Sequence, residues 1–279
     1  MPGTQTALIH STAIISPEAK LAENVRVGPY TVIEGPVIVG EGTVIHPHAH
    51  LIGPILIGSN NEVGTGTVIG GNPQHLAYKG EATAVEIGDG NIFREYVTVN
   101  RAMPVGTGAG SGATRVGNRN LFMACSHVAH DCRIGSDCIF ANSSVLGGHV
   151  EVGDRALISG NSCVHQFCRV GRLGLLSGSS ATSKDIPPFW VMHEINIVCG
   201  VNTIGMRRAG LNSVEIQAVR KAFAIIYKER LTIPAALLRI EAEYGQFPAI
   251  RELIDFIRSS KRGICGAHRF PGHDEEAAA

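Results

Sequence analysis

From Ile9 onward the chain places an aliphatic residue at every sixth position: Ile9, Ile15, Leu21, Val27, Ile33, Val39, Ile45, Leu51, Ile57, Val63 and Ile69. The phase returns at Ile87, Phe93 and Val99. Displaced by one residue, it then runs from Val116 through Phe122, Val128, Ile134, Phe140, Leu146, Val152, Ile158, Val164 and Val170 to Leu176. A fixed period of this kind marks a repeat architecture in which no single unit can bury its own apolar side. With the aliphatic residue as position one, glycine often follows it, as at Gly28, Gly40, Gly58, Gly117 and Gly135. Position five holds small or β-branched residues such as Thr31, Thr43, Ala49, Ser126 and Ser144. Prolines sit at positions three and four (Pro17, Pro29, Pro47, Pro36, Pro54), where a turn accepts them and a hydrogen-bonded ladder does not. The pattern predicts a short strand and a turn every six residues.

Two stretches break the period, residues 73–86 and 101–115. Loops of this size in a regular solenoid carry function or pack the subunit against a neighbour. The second contains GTGAGSG, but it follows no strand–loop–helix arrangement and has no phosphate-binding Lys, which argues against a nucleotide P-loop. Past Ser180 the period fails, IPPFW turns the chain, and from Asn212 the apolar spacing becomes helical in three segments. Asn212 or Ser213 caps the first, Thr232 with Pro234 opens the second, and Gly263 follows the third. Coils that share one narrow aliphatic column resemble the left-handed parallel β-helix of the hexapeptide-repeat acyltransferases. The resemblance implies three hexads per 18-residue coil and supplies the hand, since ordinary crossovers predict the opposite one. The expected fold class is mainly β: a left-handed parallel β-helix over residues 1–190, a C-terminal α-helical domain over 191–265, and a disordered tail over 266–279.

Composition agrees with such a core and narrows the function. Of 279 residues 44% are hydrophobic but only 5% aromatic, which suits a thin aliphatic prism, and 24 basic residues balance 24 acidic ones. That balance excludes a protein built mainly to coat nucleic acid or an anionic membrane. The neutrality is uneven, because residues 206–262 carry 11 Lys and Arg against 6 Asp and Glu. The excess reads either as solvated helix faces or as a landing site for an acidic partner. Seven cysteines form no CxxC pair; Cys132, Cys138 and Cys168 fall at position five and read as small buried apolar residues. No apolar run suits a bilayer span, and MPGTQTALIH lacks a signal-peptide pattern, so a cytoplasmic chain is expected.

Candidate chemistry gathers in the later hexads, where His127, His130, His149 and His165 occur. With 18 residues per coil, His130, Gly148 and Gln166 fall in one column and Asp131, His149 and Phe167 in the next. Neutral imidazole suits general-base work near neutral pH, a carboxylate fixes its tautomer, and a glycine N–H admits a reacting carbonyl without a Cβ in the way. A three-His metal site, as in carbonic anhydrases built on the same solenoid, is a rival reading. So is a catalytically silent scaffold.

The hexads together with HVAHDC, GGHVEV, VHQFCRVG, KDIPPF and GVNTIGMRRAG are similar to the UDP-N-acetylglucosamine O-acyltransferases that begin lipid A synthesis, collinearly from about residue 9 to 262. The resemblance implies a homotrimer with active sites between adjacent solenoids. It implies transfer of an (R)-3-hydroxyacyl group from acyl carrier protein to the glucosamine 3-position, with no metal and no cofactor beyond the carrier's phosphopantetheine. It casts His130 as the base, Asp131 as its orienting partner and the Gly148 N–H as oxyanion donor. His127, His149, His165, Gln166, Asn202 and Arg208 would contact the UDP-sugar, and Gly178 would measure acyl length. The chain departs from the pattern at His75, where relatives commonly carry an acid, at Ala77, where they carry Lys, and at Ile204, where a Glu is usual. An N-acyltransferase acting on a 3-amino sugar nucleotide is the alternative within the superfamily.

Overall fold

Residues 9–267 are described by a computed structural model. Short strands stack into three sheets of 9, 8 and 11 strands, parallel and one strand per coil throughout the solenoid. The registers Ile14↔Val32, Val128↔Leu146 and Leu146↔Val164 carry the 18-residue coil. Across the two excursions the partners become Val68↔Thr98 and Thr98↔His127, so the extra residues loop out and the ladder closes beneath them. The architecture is a left-handed parallel β-helix with helices at its C-terminal end.

Position one is buried from Val27 onward, whereas in the first coil Ile9 is exposed and Ile15 and Leu21 are half-buried. Leu51, Ile69, Val99, Val128 and Leu146 are fully buried, and position five beside them is filled by buried Thr31, Thr43, Ser126, Ser144 and Ser162. Cys132, Cys138 and Cys168 are buried as their position requires. Burial pushes the Cys132 and Cys138 thiols up to about 12, far from the reactive thiolate. Where aromatic residues enter, they align in register: Phe93, Phe122 and Phe140 stack with ring centroids 4.7 and 4.6 Å apart. Beside them Asn61, Asn91 and Asn120 build an amide ladder. Asn61 Oδ1 accepts from the Asn91 N–H at 2.8 Å, Asn91 Oδ1 from the Asn120 N–H at 2.9 Å, and Asn120 Oδ1 from the Cys138 N–H at 2.8 Å.

Most corners share one backbone design. The position-two N–H joins the ladder, as Gly147 does to the Val164 carbonyl at 2.8 Å. Position four adopts a left-handed φ near +60° at His48, Asp131, His149 and Phe167, and its N–H returns to the coil before, as His149 does to the His130 carbonyl at 3.0 Å. In most corners position three donates to no backbone carbonyl, which is why Pro17, Pro29 and Pro47 fit there, although Gly53 donates to the Glu34 carbonyl at 2.7 Å.

The third sheet does not stop at residue 190. Trp190–His193 pairs with Leu175–Leu176 and turns back as an antiparallel hairpin with Ile197–Val201, so solenoid and helical end share a continuous sheet. Four helices follow: α1 (Thr203–Arg208), α2 (Ser213–Lys228), α3 (Ile233–Tyr244) and α4 (Pro248–Arg258). Asn212 caps α2 through the Glu215 N–H, Thr232 caps α3, and α1 is an element the apolar spacing did not predict. Trp190 packs edge-on against Phe223 and Tyr227 of α2, while Arg172 and Glu252 tie α4 to the solenoid at 2.7 Å. Gly266–Ala267, expected to be disordered, instead pairs with the strand Ile197–Val201, and the remainder of the expected tail lies outside the described residues.

Replacing Asn91 with Ala leaves the buried Asn120 N–H and amide without their shared acceptor. Loss of roughly 1–3 kcal/mol is expected for a buried polar group so stranded, read as a lower urea midpoint at unchanged slope.

Candidate active site

His130 stands at position three and Asp131 at position four of one corner, between the strands His127–Val128 and Arg133–Ile134. His130 Nδ1 lies 2.8 Å from Asp131 Oδ2. The carboxylate is fully buried and accepts three further hydrogen bonds: from the Met103 N–H at 2.9 Å, the Ser111 N–H at 2.6 Å and the Ser111 hydroxyl at 2.7 Å. Burial alone would raise its pKa; the bond from His130 and those from Met103 and Ser111 outweigh it and bring the carboxyl down to about 2. An ionised Asp131 holds the His130 proton on Nδ1 and leaves the Nε2 lone pair for chemistry.

Nε2 faces the next coil at Gly148. A Cβ there would lie 2.6 Å from ring atoms Cε1 and Nε2, so only glycine permits the ring. Gly148 is at position three, and its N–H has no acceptor among the described residues. The corner thus sets a basic nitrogen beside an unpaired donor. His149 crosses His130 edge-on at 5.1 Å between centroids and stacks on Phe167 at 4.4 Å. His75, reaching in from the first excursion, meets His130 edge-on at 5.6 Å. His127 bonds Thr98 Oγ1 at 2.7 Å, and burial first, then neighbouring His130, lowers its pKa. Burial also lowers that of His149 against the opposing pull of Asp131, so both rings are neutral at pH 7. His127, His130, Gly147, Gly148, His165 and Gln166 line one groove of about 550 Å³ along the first sheet.

This geometry has close relatives. Residues 185–265 match the family profile for UDP-N-acetylglucosamine O-acyltransferase, domain 2, and residues 113–148 match the bacterial transferase hexapeptide profile of six repeats. The acyl-[acyl-carrier-protein]–UDP-N-acetylglucosamine O-acyltransferase of Saccharophagus degradans is 48% identical over 257 residues, which is 92% of this chain and 98% of that one. The enzyme of the same name from Thermodesulfovibrio yellowstonii is 43% identical over 258 residues, again 92% and 98%. The chain belongs to the acyl-[acyl-carrier-protein]–UDP-N-acetylglucosamine O-acyltransferase family. Among solved structures, the UDP-N-acetylglucosamine acyltransferase of Francisella novicida superposes with a TM-score of 0.90 at 34% identity, covering 97% of this chain and 98% of that one. The acyltransferase from Bacteroides fragilis gives 0.86 at 41%, covering 91% and 98%.

Within one copy of this acyltransferase the expected site residues fall into separate places. Asn202 caps α1 through the Gly205 N–H at 2.8 Å and donates to the Leu173 carbonyl at 2.9 Å. With Arg208 it lines a groove of about 420 Å³ against Leu157 and Leu175 of the third sheet, not the His130 groove. Ile204, one of the departures, lines the same groove. Gly178 is exposed at the corner after the third-sheet strand Leu175–Leu176, with the Gly160 carbonyl 3.6 Å from where its Cβ would be, an ordinary contact. Among the described residues, the one metal-like donor set is His130, Asp131 and His149, with ligand atoms within 4.8 Å of one another. It is two imidazoles and a carboxylate rather than three imidazoles. A cation there would have to displace bonds the carboxylate already accepts. Met103 and Ser111, inside the excursion 101–115, complete the site; two of their three donors are backbone N–H groups, which leave no residue-type signature.

The depressed carboxyl predicts a pH-dependent stability. The hydrogen bonds hold the folded Asp131 carboxyl at about 2, below the ordinary aspartate range, so its contribution is full above about pH 5 and lost as pH falls toward 2. Asp131→Asn should therefore be less stable than the parent by roughly 2 kcal/mol at pH 7. The gap should close between pH 5 and pH 2 in parallel denaturant melts.

Proposed function

We propose that the chain transfers an (R)-3-hydroxyacyl group from acyl carrier protein to the glucosamine 3-hydroxyl of UDP-N-acetylglucosamine, the opening step of lipid A synthesis. The observation that carries the mechanism is the pairing of His130 with buried Asp131, which leaves Nε2 turned toward the unpaired Gly148 N–H. Nε2 takes the proton of the sugar hydroxyl as its oxygen attacks the thioester carbonyl. The oxyanion that forms accepts the Gly148 N–H, where a preorganised donor is most effective. Collapse expels the phosphopantetheine thiolate, which receives the proton from the imidazolium. No metal or further cofactor enters this scheme.

Neutral His127 and His149 present hydrogen bonds to the sugar without adding charge, and His165 and Gln166 extend the same groove. Asn202 and Arg208 sit on another face, in the third-sheet groove. A homotrimer with its sites between solenoids would bring that groove of one copy to the His130 groove of the next. There the permanent guanidinium charge of Arg208 would meet the diphosphate. Gly178 would leave room for the acyl chain. Among the described residues no helix is long and apolar enough to cross a membrane. At the helical end Arg239 is answered by Glu229 and Glu243, and Arg258 by Glu241. Arg207, Arg220 and Lys221 line a groove of about 580 Å³ whose wall, among the described residues, holds no acidic side chain. That basic groove is the landing site for acidic acyl carrier protein.

His130→Ala should lower turnover by roughly 10²–10⁴, the usual worth of a general base, with folding and subunit mass unchanged; near-normal turnover would sink the assignment. Mass spectrometry of products from UDP-N-acetylglucosamine and its 3-amino analogue, each with a pool of 3-hydroxyacyl carrier proteins, tests acceptor and chain length together. Dominant use of the amino analogue would replace ester formation by amide formation.

Docking through the basic groove is screened by salt. The KM for acyl carrier protein should rise between 50 and 300 mM salt, roughly tenfold for several screened contacts. In the Arg220→Glu, Lys221→Glu double variant it should already be high at low salt, with kcat retained.

A further inference from the structure

We propose that Ser111 is a positioning residue for His130: its hydroxyl and its own N–H hold Oδ1 of Asp131 so that Oδ2 stays on His130 Nδ1. The proposal rests on the reading of His130 as the base. Asp131 has little backbone freedom, because φ is +61° and its N–H donates to Thr114 Oγ1 at 2.8 Å. What is left free is the torsion of the carboxylate, a broad two-fold one. Rotation matters here because a second imidazole waits nearby: His149 Nε2 is 3.8 Å from Oδ2. A carboxylate turned toward His149 would leave His130 without its orienting partner.

Ser111 blocks that turn from the far side, with N and Oγ at 2.6 and 2.7 Å from Oδ1, while Met103 N helps hold Oδ2 at 2.9 Å. The hydroxyl has one proton and two acceptors in reach, Oδ1 at 2.7 Å and the Ala113 carbonyl at 2.9 Å. Beside an ionised carboxylate the proton goes to Oδ1, the stronger acceptor. The glycine-rich excursion is shaped to deliver this clamp. Gly112 donates to the Met103 carbonyl at 3.0 Å and takes a φ of +77°. A Cβ on Gly110 would fall 2.1 Å from the Pro104 oxygen. The loop therefore folds back on itself tightly enough for Met103 and Ser111, eight residues apart in sequence, to point at one carboxylate. The charged and titratable groups facing Asp131 are His130 and His149, with His75 behind His130.

The test compares Ser111→Ala, Ser111→Cys and Ser111→Thr in the full chain, each alone and on an Asp131→Asn background. Loss of one hydrogen bond to a charged group predicts kcat down roughly tenfold in Ser111→Ala, with KM for both substrates within about twofold. Ser111→Thr should restore kcat, and Ser111→Cys, a weak donor of similar size, should fall between. On the Asp131→Asn background Ser111→Ala should cause no further loss, because the carboxylate it clamps is gone. Unchanged kcat in Ser111→Ala, an equal loss in both backgrounds, or a Thr variant as slow as Ala would overturn the proposal. If the Ala variant melts early, the Cys variant carries the comparison, and parental kcat in it overturns the proposal too. An active His130→Ala would instead remove the underlying reading, whatever Ser111 does.

Discussion

Stacking identical corners at strand spacing is the constraint on which the rest of the molecule depends. Once each coil is held to 18 residues, every hexad position acquires a fixed chemical character. Beyond the first coil position one is buried and apolar; in most corners position four is left-handed and position three keeps an N–H that the ladder does not use. In most coils that vacancy is only a place where proline does no harm. At Gly148 the same vacancy becomes a donor beside the His130 ring. The His130 corner needs no special backbone, because it takes over a property that most corners already have.

What does need a special arrangement is the carboxylate. Asp131 is fully buried among apolar and imidazole neighbours, where an ionised group is costly unless it is saturated with hydrogen bonds. The solenoid provides one of the four donors, His130 Nδ1; the other three come from the excursion 101–115. The interruption of the repeat and the ionisation of Asp131 are therefore one fact. Without a loop outside the period, a buried carboxylate at position four would have too few partners to stay charged.

This explains which parts of the molecule were legible in the sequence. The column of His130, Gly148 and Gln166 could be read because 18-residue arithmetic turns spacing into contact. Ser111 could not, since it lies where the period is broken and half of its contribution is a backbone N–H. Asn61, Asn91 and Asn120 were hidden for another reason. Position five was read as a place for small residues, yet an amide fits when its polar atoms continue the backbone ladder. Helix α1 escaped because six residues containing Gly205 show no apolar stripe, and its start is fixed by Asn202 acting on Gly205. The pairing of Gly266–Ala267 with Ile197–Val198 depends on a strand far away in sequence and leaves no local pattern.

The separation of the two grooves turns a solenoid into an argument for assembly. A prism of stacked coils is rigid, so the face carrying His130 and the face carrying Asn202 and Arg208 cannot close on each other within one chain. A ligand that needs both must be met by two copies. If the first-sheet groove of one copy meets the third-sheet groove of the next, the contact is heterologous. Such contacts either close into a ring or grow without limit. Three-fold closure, the assembly proposed above, would let each copy offer one groove to each neighbour and keep its second sheet outward. In that arrangement the corner at His130 would supply the proposed base, the neighbouring helical end would supply the Arg208 cation, and the length of the prism would keep both in register.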